Sequence, residues 1–168
     1  QRLLAAARRA GVLVCHVGFW TLEDHLSDSG PWLTQRRRSR FASDRIAMAD
    51  SDGAAFIDQL SPQVGEIEIR KHRYSAFKGT NLDMVLRAND IRTVIPTGVS
   101  TNVCVESTLR DAFESGYYVV LPGDACASWD QSLHDATLKT ADARFGLVCK
   151  STEVESIWLK SAADAVAS

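Results

Sequence analysis

The sequence predicts an α/β fold: a mostly parallel sheet with helices on both faces, Rossmann-like and three-layered, in one domain over residues 1–168. Three observations lead there. Short apolar runs such as Val12-Leu13-Val14-Cys15-His16-Val17 suit strands of a sheet covered on both sides. Segments of about 10–15 residues with helical spacing alternate with these runs. A chain of 168 residues fits one domain, and no repeat, linker or low-complexity tract divides it.

The elements follow in order. Gln1–Ala10 places Leu3, Leu4 and Ala7 on one face of a helix that Gly11 ends. Val12–Val17 is the first strand. Gly18 to about Asp52 shows no periodicity and reads as a long loop, a length often found in lids and binding loops. Ala54–Leu60 reads as a short helix stopped by Ser61-Pro62, and Glu66–Ile69 as a strand. Asn81–Ala88 is a helix. Thr93–Val99 is a strand made irregular by Pro96, which has no ladder donor. Val103–Ser115, Asp130–Arg144 and Thr152–Val166 are helices; Tyr117–Leu121 and Leu147–Cys149 are strands. That makes five strands. A βαβ chain ordinarily opens on a strand, whereas this one opens on a helix. The expectation is therefore a further strand upstream of Gln1 in the natural protein.

Composition narrows the function. Hydrophobic residues at 45% and charged residues at 24% exclude a disordered or fibrous chain. No apolar run approaches the roughly 18 residues that span a bilayer. Nineteen Lys+Arg against 21 Asp+Glu give a net charge of -2, so nothing attracts nucleic acid or an anionic membrane globally. The run Arg36-Arg37-Arg38-Ser39-Arg40 reads as a solvated loop. Four cysteines at 15, 104, 126 and 149 form no CxxC pair. No disulfide framework is expected in a domain of this size, and a reducing, cytoplasmic setting is. His16, His25, His72 and His134 are scattered without an i,i+4 pair, so no catalytic metal or other cofactor is expected.

The densest chemical signal runs from Thr97 to Thr108. A strand ends at Gly98, small polar residues turn the chain, and a helix begins. Ligands in open α/β sheets bind at the carboxyl ends of strands. A cysteine in a helix's first turn meets free N–H groups and the positive end of the macrodipole, both of which favour thiolate. Position alone leaves two readings for Cys104: a nucleophile, or a packed helix-start residue.

The stretch resembles the isochorismatase-like cysteine hydrolases, which include nicotinamidases, N-carbamoylsarcosine amidases and ureidoacrylate amidohydrolases. The matching residues are Lys71–Phe77, Gly79–Leu82, Thr97–Val105, Ser107–Ala112, Gly116-Tyr117 and Asp124–Ser128, in order and spacing across roughly Gln1 to Lys150. The Arg73-Tyr74-Ser75 and Asn102–Thr108 details look most like the ureidoacrylate branch. The resemblance implies that Cys104 attacks an amide or carbamoyl carbon and forms a thioester. Lys71 would stabilise the thiolate and the developing charge. It also implies a cis Val99–Ser100 peptide that aims the N–H groups of Ser100 and Cys104 at one point as an oxyanion hole.

The family's general base is an Asp at the end of the first strand, and no residue of this chain matches it. Asp24 and Asp28 follow a different strand and do not take the role; Asp111 and Asp124 read as helix and turn residues. The expectation is a natural protein with an N-terminal segment beyond this chain, and little activity without it. Trp20 resembles a pocket-shaping aromatic, or packs at the rim. Tyr74 bonds substrate through its hydroxyl, or is a core residue. Asn102 orients substrate, or caps the helix. The resemblance further implies a small-molecule substrate and a homo-oligomer, dimer or tetramer. Two other functions compete. An isochorismatase-type vinyl-ether hydrolase lacks the cysteine at this position, so Cys104 argues against it. A noncatalytic binding or assembly member of the same fold would account for the unmatched Asp.

Overall fold

The Ala/Leu/Arg pattern at the start of the chain forms α1 (Arg2–Arg9), burying Ala6 and Ala7. The structure is a computed structural model that describes residues 1–38 and 45–167. After α1, β1 (Cys15–Phe19) pairs in parallel with β2 (Ile67–Lys71). The register sets Cys15 opposite Ile67 and Phe19 opposite Lys71, so those last two meet at the strands' carboxyl end. A second parallel group runs β3 (Thr93–Val94), β5 (Tyr118–Pro122), β7 (Leu147–Cys149) in that order. A third pairs β4 (Gly98–Val99) with β6 (Cys126–Ala127). Every strand pair is parallel. The predicted strand Thr93–Val99 is thus two pieces, divided around Pro96, where the ladder loses a donor.

The helices α3 (Leu82–Ala88), α4 (Glu106–Glu114), α5 (Gln131–Arg144) and α6 (Ser151–Ala167) complete the layers. α4 lies against β5 and α5 against β7, and the two helices touch each other; α1 packs on α6. Arg2 Nε and Glu155 Oε1, 2.9 Å apart, fasten that last pair. The core gathers Ile69, Leu82, Leu86, Val105, Leu109, Ala112, Val119, Leu121 and Ala141. Burying a side chain of Leu or Ile size contributes about 1.5–3 kcal/mol, so Ile69, Leu109 and Leu121, which are almost wholly enclosed, carry much of this. α5 begins where its N-cap signal sits: the Asp130 carboxylate accepts the N–H groups of Ser132 and Leu133. α4 ends at Gly116 with φ 89°. There the Gly116 N–H bonds the Phe113 carbonyl and the Tyr117 N–H the Ala112 carbonyl. Between α5 and β7 a Cβ on Gly146 would stand 2.2 Å from the Val119 carbonyl oxygen, so only glycine passes. No helix among the described residues is long and apolar enough to cross a membrane.

Three local expectations change. The segment from Gly18 to Asp52 is not all loop: it contains β1's last residues, a 3₁₀ turn at Glu23–His25, and α2 (Gly30–Arg38). Ser29 caps α2 by accepting the Trp32 N–H, and Pro31 falls in the first turn, where it is tolerated. The basic run is not simply solvated either. Arg36 is 8% exposed, with its Nη2 2.9 Å from Asp28 Oδ1; Ser39 and Arg40 lie outside the described residues. Ala54–Leu60 forms two separate 3₁₀ turns, Asp52–Ala54 and Asp58–Leu60, not one helix.

Glu66, just before β2, joins three parts of the chain. Its carboxylate takes Arg8 Nε and Nη2 at 2.7 and 2.9 Å, His16 Nε2 at 2.8 Å and the Gln63 N–H at 2.8 Å. The Arg8 guanidinium is the main reason its pKa falls to about 2. A carboxylate depressed in the folded state stabilises fully above its ordinary range, and that contribution drains as pH falls toward 2. Glu66→Gln should therefore lose on the order of 1–2 kcal/mol at pH 7 after solvent screening. It should also lose less than the wild type between pH 5 and pH 3. Urea unfolding at several pH values measures both; an unchanged pH slope would remove Glu66 from this role.

Candidate active site

β4 ends at Val99, and the Val99–Ser100 peptide is cis. A π-helical turn, Thr101–Val105, then leads into α4. The helix predicted from Val103 thus opens two residues earlier and in a wider register, a form that recurs at functional sites. The Ser100 carbonyl accepts the N–H groups of Val103 at 3.1 Å and Val105 at 3.2 Å, the residues on either side of Cys104. Cys104 is half-buried in this turn. Fully buried Thr101 pairs through Oγ1 with His134 Nδ1 at 2.8 Å. Asn102 Oδ1 accepts the Ser128 hydroxyl at 2.7 Å. Ser100, not Asn102, occupies the N-cap position of the turn, and no side chain caps it.

Lys71 closes β2 and is 4% exposed. Its Nζ donates to the Tyr74 carbonyl and lies 5.8 Å from the centroid of the Phe19 ring. Among the described residues no carboxylate forms an ion pair with it. The loop that follows is tied down residue by residue. His72 Nδ1 donates to the Trp20 carbonyl at 2.5 Å. Arg73 Nη1 donates to the carbonyls of Ser27 at 2.8 Å and His72 at 2.6 Å. Ser75 Oγ accepts the Phe77 N–H at 3.1 Å. The Ala76 N–H reaches Thr108 Oγ1 at 3.0 Å, and that hydroxyl donates to the Cys104 carbonyl at 2.7 Å. The Lys71 loop and the Cys104 turn are joined at that point.

An aromatic wall stands beside Lys71. Phe19 stacks on Trp32 with centroids 6.2 Å apart, and Trp32 meets Tyr74 at 4.5 Å. The Arg73 guanidinium lies 5.4 Å from the Trp32 ring. Tyr74 is 44% exposed, so it is no core residue. Trp20 bonds the Lys71 carbonyl through its backbone N–H at 2.8 Å. Its ring lies 4.6 Å from the guanidinium of Arg70, and among the described residues its buried indole N–H has no partner. Arg70 precedes Lys71 in a strand and so points to the other face. Phe19 is therefore the ring that turns toward Lys71. Sequence reasoning missed Phe19 and Trp32; the pairing of Phe19 with Lys71 needs the strand register, and that of Trp32 needs the unpredicted helix α2.

The other thiols are poor nucleophiles. Burial raises the pKa of Cys15 and pushes Cys126 up to about 11. Cys149 is raised by burial and then by Glu153 and Asp124. The nearby acids are engaged elsewhere: Glu106 with Arg110 and Thr137, Asp124 with Ser151, and Asp28 with Arg36 and His25. Among the described residues no three His, Cys, Asp or Glu side chains gather as a metal-holding group.

The chain is similar to known proteins in sequence and fold. Among curated relatives, the chain is 37% identical over 165 residues to the ureidoacrylate amidohydrolase of Methylobacterium radiotolerans, covering 92% of itself and 64% of that relative. It thus spans slightly less than two thirds of the relative's length. Among solved structures, a cysteine hydrolase from Pseudomonas syringae pv. phaseolicola superposes with a TM-score of 0.86 at 29% identity, over 96% of this chain and 78% of that one. N-carbamoylsarcosine amidase from Thermoplasma acidophilum follows with a TM-score of 0.73 at 30% identity, over 89% and 79%. The family profile described as the isochorismatase domain matches residues 1–153, nearly the whole described fold together with the Lys71 loop and the Cys104 turn. The chain belongs to the isochorismatase family.

Proposed function

We propose that the protein, one domain over residues 1–168, is a cysteine amidohydrolase that cleaves a C–N bond of a small amide, ureido or carbamoyl compound. The observation that carries this is the tie between a helix-start cysteine, Cys104, and the loop of a buried lysine, Lys71. The names of the relatives, an amidohydrolase and an amidase, support the same chemistry.

In this reading the Cys104 thiolate adds to the substrate carbonyl carbon. The C=O π pair moves onto oxygen, and the tetrahedral oxyanion faces the N–H groups of Ser100 and Cys104. Collapse breaks the C–N bond, the leaving nitrogen takes the proton that the Cys104 thiol gave up on ionising, and a Cys104 thioester remains. Water then hydrolyses the thioester, releasing the acid and restoring the thiol. Lys71 stabilises the thiolate and the oxyanion. Asn102 and Tyr74 orient the substrate, and Trp20 shapes the pocket. The family resemblance assigns proton transfer to an aspartate that no residue of this chain matches, so activity is measured on the protein as its natural host makes it. The proposal includes a cytoplasmic dimer or tetramer. Light scattering of the full-length protein should give two or four subunits; a strict monomer would remove that part.

Two experiments test the chemistry. Iodoacetamide at pH 7, read by peptide mass spectrometry, should label Cys104 first and Cys126 at least roughly tenfold more slowly, because thiolate is the reactive form. Uniform labelling of the four thiols would count against an activated Cys104. In the full-length protein, Cys104→Ala should abolish hydrolysis of its best ureido or amide substrate. Cys104→Ser should be nearly as damaging, since a hydroxyl stays protonated. Lys71→Ala should slow turnover by roughly 10²–10³-fold. Wild-type turnover by Cys104→Ala would remove Cys104 as the nucleophile.

A further inference from the structure

Thr108 sits on α4, four residues after Cys104. Its hydroxyl has one proton to give, and its two neighbours fix how that proton is used. The Ala76 N–H can only donate, so at 3.0 Å Oγ1 accepts from it. The Cys104 carbonyl can only accept, so at 2.7 Å Oγ1 donates to it. Ala76 is 3% exposed, which makes an unpaired amide there costly. Ala76 stands two residues after Tyr74, whose carbonyl holds the Lys71 ammonium. A continuous chain of bonds therefore runs from Lys71 Nζ through the Tyr74–Ala76 backbone and the Thr108 hydroxyl to the Cys104 carbonyl. The two ends lie on segments that come from different strand groups, β2 and β4. Among the described residues no strand pairing fixes one against the other.

We propose that Thr108 is a positioning residue whose hydroxyl sets the Lys71 loop against the Cys104 turn and so places the ammonium beside the thiol. This rests on the reading of Cys104 and Lys71 as the reacting pair. Thr108 does not touch the substrate; it acts through the two backbone groups it bridges. Without the bridge each segment keeps its own fold, but their separation is no longer fixed. A displacement near 1 Å at a reacting centre costs up to about 10²-fold in rate.

The test uses the full-length protein and four variants: Thr108→Val, Thr108→Ala, Thr108→Ser and Lys71→Ala. The first readout is the pH midpoint of Cys104 alkylation by iodoacetamide. Thr108→Val should move it upward, in the direction of Lys71→Ala, and lower kcat roughly 10–100-fold with KM little changed. Thr108→Ser, which keeps the hydroxyl, should restore most of both. Thr108→Ala, which adds no bulk, gives the same reading if the valine variant does not fold. Valine and alanine variants with the wild-type midpoint and kcat would overturn the proposal. So would a serine variant as damaged as the valine one, since the effect would then belong to the lost methyl. If Lys71→Ala itself leaves the midpoint unmoved while Thr108→Val shifts it, the Lys71 role fails instead, and Thr108 is not placing an ammonium.

Discussion

A buried ammonium with no carboxylate beside it, among the described residues, is the constraint around which this end of the molecule is arranged. Lys71 is 4% exposed, and its described neighbours are one carbonyl and one ring face. Taking an ammonium out of water costs several kcal/mol unless fixed dipoles or an anion replace the hydration. The Tyr74 carbonyl supplies one dipole, and the face of Phe19 adds a weaker attraction. The remaining deficit favours any negative charge that forms within reach. A thiolate or a tetrahedral oxyanion is such a charge, whereas a neutral amide is not. The same burial that costs stability in the resting protein is therefore worth most when charge develops.

That arrangement works only if the surroundings do not relax. The turn that carries Cys104 and the start of α4 after it are bonded by side chains to three different places: Thr101 to His134 on α5, Asn102 to Ser128 after β6, and Thr108 to the loop after β2. Glu106 at the start of α4 adds a bond to Thr137 on α5. A single hydrogen bond contributes about 0.5–1.5 kcal/mol, but leaving a buried partner unpaired costs about 1–3 kcal/mol. The turn is thus held less by the strength of its bonds than by the cost of breaking them. The Lys71 loop is held in the same manner by Trp20, Ser27 and Thr108. Donors held at fixed positions need no reorganisation when the reaction occurs.

The parts legible in the sequence are those whose signal is local. The apolar run before Gly18 and the helical spacings over Val103–Ser115 and Asp130–Arg144 each mark an element by residues within one or two turns of it, and β1, α5 and the end of α4 follow them. The Thr97–Thr108 pattern marks a strand, a turn and a helix for the same reason. The helix α2 was illegible because its inward residue is Arg36, satisfied by Asp28, and a buried charge erases the apolar period that a helix would show. Phe19 and Trp32 looked like loop aromatics because the partners that make them a wall, Lys71 and Tyr74, lie beyond a strand pairing. Thr108 was visible as part of a motif, but its work depends on an amide 32 residues away. Trp20 was placed beside the right strand end, while its ring turns to Arg70.

Several departures from ordinary packing among the described residues stand together at one end of the sheet. The core of Ile69, Leu109 and Leu121 is apolar and enclosed, and Asp130 caps α5. Among the described residues, the buried lysine without a carboxylate, the π-helical turn and the unpartnered indole N–H of Trp20 all lie next to the carboxyl ends of β1, β2 and β4. Proteins that satisfy local rules elsewhere tend to break them where function requires it, and the broken rules cost stability. In the proposed hydrolase the tetrahedral intermediate brings the negative charge that the Lys71 ammonium lacks in the resting protein.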